Sequence, residues 1–126
     1  MSLLPLNSGV WCVAGSRLLG DADFVDAHLC LTAAAFEMPR VIVHGGCRGA
    51  DSLAHAWALR SGIAVQVWRA DWKLYGNAAG PIRTRAMLHG TRPALLVAFG
   101  AGAGTRYACK VAAAIGSQVE YVAWPA

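Results

Sequence analysis

Residues 40–51 read Arg-Val-Ile-Val-His-Gly-Gly-Cys-Arg-Gly-Ala-Asp. A short, β-branched apolar run ends in a glycine-rich turn, and the turn leads into a segment that can only be helical in its spacing. That is the signature of a buried parallel strand handing over to a helix. The same grammar recurs along the chain. Strand-like runs are expected at Val10 to Ala14, Arg40 to His44, Ala64 to Trp68, Ala94 to Phe99 and Val119 to Ala123. Between them lie helix-like segments, roughly Asp21 to Met38, Ala50 to Ser61, Pro81 to His89 and Thr105 to Ile115. Alternation of this kind predicts an α/β fold, a Rossmann-like three-layer sandwich with a five-stranded parallel sheet in the order 3-2-1-4-5. Asp21 and Asp23 suit the start of the first helix, Pro81 a first helical turn, and Gly62, Gly90 and Gly116 the left-handed helix stops. Gly9 is placed just before the first strand, and the stretch from Ala70 to Gly80 is read as a long non-helical loop.

The 126 residues make one domain the working expectation, with a core of ordinary size. Hydrophobic residues are 56% and charged residues 14%, against about 45–50% and about 25% in average soluble chains. Too few polar side chains remain to cover the surface, so a homo-oligomer is expected, with Leu29, Leu31 and Phe36 offering extra apolar stripes on the first helix. The longest uncharged apolar stretch, Pro93 to Gly104, is far short of the ~18 residues a membrane span needs. The start, MSLLPLNSGVW, lacks the pattern of a signal peptide, and Cys12, Cys30, Cys47 and Cys109 are scattered without metal or redox spacing. A cytoplasmic protein with reduced thiols, no metal and no cofactor follows. The formal charge of +4 leans toward anionic partners.

In a parallel sheet all strand-to-helix turns emerge at one edge. Four of them carry glycine here: Gly15-Ser16-Arg17, Gly45-Gly46-Cys47-Arg48-Gly49-Ala50-Asp51, Asp71-Trp72-Lys73 through Gly80, and Gly100-Ala101-Gly102-Ala103-Gly104-Thr105. Glycine lets a backbone approach a phosphate closely, and the helix N-terminus that follows adds a partial positive charge. Arg17, Arg48, Lys73, Arg83, Arg85 and Arg106 lie in or just after these turns. The expected ligand site is therefore Gly15, Ser16, Arg17, Gly45, Gly46, Arg48, Gly49, Asp51, Asp71, Trp72, Lys73, Arg83, Arg85, Gly102, Gly104 and Thr105. Asp51 starts a helix, where capping is its first reading and a ligand-hydroxyl or catalytic role its second. Trp72 or Tyr75 can stack on a base or anchor the loop. Cys47 has no base beside it in sequence, His44 reads as a buried hydrogen-bonded histidine, and His28, His55 and His89 as helix-surface residues. No segment is a Walker A loop or a G-x-G-x-x-G fingerprint with its acidic partner, which weakens ATPase and dinucleotide-oxidoreductase readings.

The motifs GSR at 15–17, GGCRGAD at 45–51, ADWKLYGNAAGPIRTRAM at 70–87 and FGAGAGT at 99–105 together resemble the YspA-like branch of the SLOG superfamily. That superfamily shares its Rossmann-like fold with the DNA-processing protein DprA and the cytokinin-activating LOG enzymes. The resemblance implies binding of a nucleotide or a nucleotide-derived signal, as a sensor or sequestering protein. Its hydrolytic members resemble one another in a P-G-G-x-G-T-x-x-E motif. Here the segment reads Gly100-Ala101-Gly102-Ala103-Gly104-Thr105-Arg106-Tyr107-Ala108, with Ala108 where the Glu would stand. An aliphatic side chain cannot move a proton, so a LOG-like N-glycosidic hydrolase would have to use Asp51 or Asp71. Binding of single-stranded nucleic acid, as implied by the likeness to DprA, is the other alternative.

Overall fold

The computed structural model describes residues 5–125. It contains β1 (Asn7–Gly15), α1 (Ala22–Phe36), β2 (Val41–His44), α2 (Ala50–Arg60), β3 (Ala64–Val67), α3 (Trp72–Tyr75), α4 (Ala79–Thr91), β4 (Pro93–Phe99), α5 (Ala103–Ala114) and β5 (Gln118–Val122). The five strands form one sheet in the order β3-β2-β1-β4-β5, and all four pairings are parallel. The expected α/β architecture and strand order are both present.

Alternation along the strands explains the three layers, since successive side chains point to opposite faces. Trp11 and Val13 of β1, Ile42 of β2 and Leu95, Val97 and Phe99 of β4 pack with Val25, Leu29, Ala54 and Trp57 of α1 and α2. Cys12, Val43 and Leu96 face the other way, onto Met87, Leu88, Ala108, Val111 and Ala112 of α4 and α5. Strands buried on both faces need no polar positions, which accounts for their continuous apolar runs. Leu29 belongs to this core and is fully buried, whereas Leu31 and Phe36 are exposed. Leu29 therefore cannot contribute to a contact with a second copy.

Several boundaries differ from the sequence expectation, each for a local reason. Asp21 caps α1 as expected, its carboxylate accepting from the Phe24 amide at 3.1 Å. Gly62 and Gly116 adopt positive φ at the ends of α2 and α5. Gly90, however, lies inside α4, and it is Arg92, with φ of 47°, that ends this helix. A Cβ on Gly90 would come within 2.9 Å of the Trp68 ring, so this glycine answers to close packing rather than to a cap. Gly9 lies inside β1, against the Arg40 guanidinium. Residues 71–80 are not a loop: α3 and a 3₁₀ turn (Gly76–Ala78) fill the span. Consequently α4 starts at Ala79 and Pro81 sits two positions inside its first turn. Among the described residues no helix is long and apolar enough to cross a membrane.

Candidate functional site

Strands β1 and β4 are parallel neighbours, but the chain goes on from β1 towards β2 and from β4 towards β5, so the turns that follow them diverge and leave a crevice between them. The turns after β1 and β2 are locked to one another. Ser16 donates its amide to the Phe99 carbonyl at 2.9 Å, and Ala50 donates to the Ser16 carbonyl at 3.1 Å. A Cβ on Gly15 would approach Ala50 Cβ and the Phe99 carbonyl at 2.7 Å. Gly49, with φ of 80°, rests on the Ser16 carbonyl and the Arg17 backbone. Both glycines hold the crevice floor together by permitting backbone contact that a side chain would forbid.

In the turn after β2 the amides of Gly45, Gly46 and Cys47 are already engaged within the protein, contrary to the expectation that Gly45 and Gly46 offer theirs to a ligand. Oδ2 of Asp51 accepts from the Gly45 amide at 3.0 Å and from the Cys47 amide at 3.2 Å. The Gly46 amide donates to Nδ1 of His44 at 2.9 Å. Asp51 thus braces its own turn and leaves the helix start at Gly49 without a side-chain cap. Its burial pushes the carboxyl pKa up, against the downward pull of the Cys47 amide, Arg83, the Gly45 amide and Arg17. Because His44 Nδ1 accepts a proton-bearing amide, the ring's own proton sits on Nε2, which lies 2.8 Å from Nδ1 of His55. Burial, and then the neighbouring His55, lower the His44 pKa to about 4. His44 is the buried, bonded histidine expected; His55, read from sequence as a helix-surface residue, is half-buried and bonded to it.

Side chains supply the positive charge instead. Arg83, projecting from α4, donates through Nη1 to the Gly45 carbonyl at 2.6 Å and to the Trp68 carbonyl at 3.2 Å. Its Nη2 lies 3.8 Å from Cys47 Sγ. The guanidinium is thereby pinned across the turns after β2 and β3. Arg17 lies 5.5 Å above the centre of the half-exposed Trp72 ring, within cation–π range. Arg17, Arg48 and Arg69 have no carboxylate partner among the described residues. Together with Gly45, Gly46, Cys47, Ala70, Trp72 and Arg83 they line a cavity of about 490 Å³.

A second, larger cavity of about 650 Å³ shares Arg17, Gly45, Cys47, Trp72 and Arg83 with the first. Its wall is largely apolar, built from Val13, Ala14, Pro81, Met87, Tyr107 and Ala108, with Asp51 as the one carboxylate lining either cavity among the described residues. Gly102, Ala103, Gly104 and Thr105 close its far side. No side chain caps α5, and the first intrahelical acceptance is the Arg106 amide on the Gly102 carbonyl at 2.9 Å. The five amides from Ala101 to Thr105 therefore have no acceptor among the described residues, in the arrangement that receives anions at helix starts. Ala108, buried one turn further along, presents a methyl group to the same cavity.

Of the residues expected at the site, Gly15, Ser16, Arg17, Gly45, Asp51, Trp72, Arg83, Gly102, Gly104 and Thr105 line the larger cavity, and Gly46 and Arg48 the smaller. Gly49, Asp71, Lys73 and Arg85 line neither. Gly49 packs against the Ser16–Arg17 backbone, and the Asp71 carboxylate turns back to cap α3, accepting from the Leu74 amide at 3.1 Å. Lys73 and Arg85 are exposed on helices. Tyr75 also lies outside the cavities, leaving Trp72 as the aromatic at their common wall. Arg69 went unanticipated, although its place just after β3 puts it at the same edge as the other turns.

Residues 12–75 match the model of a family described as YAcAr: YspA, cpYpsA-related SLOG family. The Gene 61 protein of Mycobacterium phage D29 is 36% identical over 118 residues, an alignment covering 85% of this chain and 90% of that protein. The X-ray structure of DNA processing protein A (DprA) from Streptococcus pneumoniae superposes with a TM-score of 0.66 over 89% of this chain, at 19% identity. This chain covers 49% of that DprA chain. At that identity the likeness is one of fold.

Proposed function

The chain belongs to the YspA, cpYpsA-related SLOG family, and from that premise we propose that it binds a phosphate-bearing nucleotide or nucleotide-derived signal in the crevice between the turns of β1 and β4. Family membership supports a nucleotide- or nucleic-acid-related role in general. The observation that carries the finer reading is the run of amides from Ala101 to Thr105 with no acceptor among the described residues, four of whose residues, Gly102 to Thr105, line a largely apolar cavity that also holds Arg17, Arg83 and Asp51. A phosphoryl group would sit on those amides, and a base or sugar against Val13, Pro81 and Met87. Asp51 Oδ1, which accepts no hydrogen bond among the described residues, can accept one from a ligand hydroxyl or amine. The reading is one of binding, as sensor or store, rather than cleavage. Ala108 offers no proton, Asp71 is engaged at α3, and one oxygen of Asp51 already holds two amides.

Mass spectrometry of small molecules released from protein purified out of its native cell identifies the ligand, and calorimetry then measures its affinity for Arg17→Ala and Arg48→Ala. Each loss is expected to be about 1.5–3 kcal/mol, the range of a charge-assisted hydrogen bond. Unchanged affinity in both variants would move the site elsewhere. The half-exposed Trp72 beneath Arg17, with unpaired Arg48 and Arg69 nearby, favours a second reading in which a single nucleic-acid strand stacks there. A steep salt dependence with polynucleotides, absent with mononucleotides, would select it.

A further inference from the structure

The crevice has two places for an anion, and they are too far apart for one phosphate. The first is the amide run from Ala101 to Thr105, after β4. The second is the arginine-lined cavity after β2 and β3, whose central cation is fixed there by the bonds of Arg83 to the Gly45 and Trp68 carbonyls. Strand β1 separates β4 from β2, and β3 lies one strand beyond. At ~4.8 Å per strand the two places stand about 10–14 Å apart. The larger cavity, about 650 Å³, is by itself within the ~300–1,000 Å³ range that holds a drug-sized ligand, so a nucleoside monophosphate seated there leaves the smaller one vacant. That second cavity keeps an excess of positive charge: Asp51 acts on Arg83 and Arg17, but Arg48 and Arg69 have no carboxylate partner among the described residues, and the amides of Gly45, Gly46 and Cys47 are taken up by Asp51 and His44.

We propose that the ligand is a nucleotide bearing two phosphoryl groups at separate positions, one held by the amides from Ala101 to Thr105 and the other by Arg48, Arg69 and Arg83. A 5′-diphosphate does not meet this requirement, because its two phosphorus atoms share a single bridging oxygen. Phosphoryl groups on both sides of a nucleoside do. This rests on the nucleotide reading above and adds to it the charge distribution of the ligand.

The test is calorimetry of the full chain with the four common nucleoside 5′-monophosphates, 5′-diphosphates and 3′,5′-bisphosphates. For the base that binds, the bisphosphate should bind at least tenfold more tightly than both the monophosphate and the diphosphate. Arg69→Ala and Arg48→Ala should each collapse that ratio to within about threefold of one, tenfold being about 1.4 kcal/mol. Arg85→Ala, outside both cavities, should keep the ratio of the natural chain; a collapse there too would mean a diffuse field and overturn the proposal. Monophosphate binding with no bisphosphate advantage overturns it while the nucleotide reading stands. No binding of any of the twelve compounds overturns both. A single-stranded octanucleotide binding more than tenfold above the bisphosphate, with steep salt dependence, assigns the two phosphates to a strand and overturns a free nucleotide as their source.

Discussion

Acidifying the protein from pH 7 to pH 5 should remove about 2 kcal/mol of folding stability through His44 alone. In the unfolded chain this imidazole takes a proton near its ordinary value of 6.5, whereas in the folded chain burial and His55 delay protonation to about 4. Between those values the unfolded state binds more protons, so stability falls as pH falls. The contribution is fully present above 6.5, has dropped by about 2 kcal/mol at pH 5 and by about 3 kcal/mol at pH 4. The structural reason is specific: a proton on Nδ1 would abolish the acceptor that holds the Gly46 amide, and a proton cannot be added at Nε2, which already carries one toward His55. Asp51 acts in the opposite sense, since a raised carboxyl pKa makes the folded state bind protons first. The comparison that isolates His44 is urea unfolding of the natural chain and of His44→Asn from pH 7 to pH 5. Asparagine keeps an oxygen acceptor for Gly46 and does not titrate. The natural chain should lose about 2 kcal/mol more than the variant. Parallel profiles, within about 0.5 kcal/mol of each other, would refute the reasoning, because the difference they exclude, about 2 kcal/mol, is over three times RT.

Gly49→Ala should destabilise the protein by more than about 1 kcal/mol, because φ is 80° and the new methyl meets the Ser16 carbonyl; an unaltered thermal midpoint would contradict it. No free base should appear when nucleoside monophosphates are incubated with the protein, and chromatography showing base that vanishes in Asp51→Asn would make the protein an enzyme. A homo-oligomer is expected from the exposed Leu31 and Phe36 on α1, so light scattering at micromolar concentration should exceed 13.2 kDa and Leu31→Glu with Phe36→Glu should reduce it; a monomer in the natural chain removes the argument.

The sheet and its ligand edge were legible because β1, β2 and β4 are apolar on both faces, and because each ends where glycine begins. What escaped notice was shorter or three-dimensional. Helix α3 has four residues, too few for a periodic pattern, and its only signal was the capping Asp71. Gly90 resembled a helix stop because a sequence does not show that Trp68 lies across it. The glycine turn after β2 resembled a phosphate cradle, yet its first three amides, of Gly45, Gly46 and Cys47, are satisfied by Asp51 and His44, one later in the turn and one on the strand itself. Composition can report that a turn is able to offer amides, but only the fold reports whether they are still free. In the turn before α5 the amides from Ala101 to Thr105 have no acceptor among the described residues, so there the glycine pattern and the free amides coincide.

The strand order also sets a timetable. β1 is made first and lies in the middle, but its neighbour β4 follows only after two other strands and four helices have been completed. The contact between Asn7 and Thr91 spans 84 residues. During synthesis β1 can join β2 and β3 early, while its second edge stays bare until β4 arrives. Closing so long a loop is slow compared with local pairing, and it leaves an apolar strand edge open to other chains meanwhile. Amino acids that weaken β4 should therefore lower the yield of soluble protein during expression before they lower the stability of the molecules that have folded.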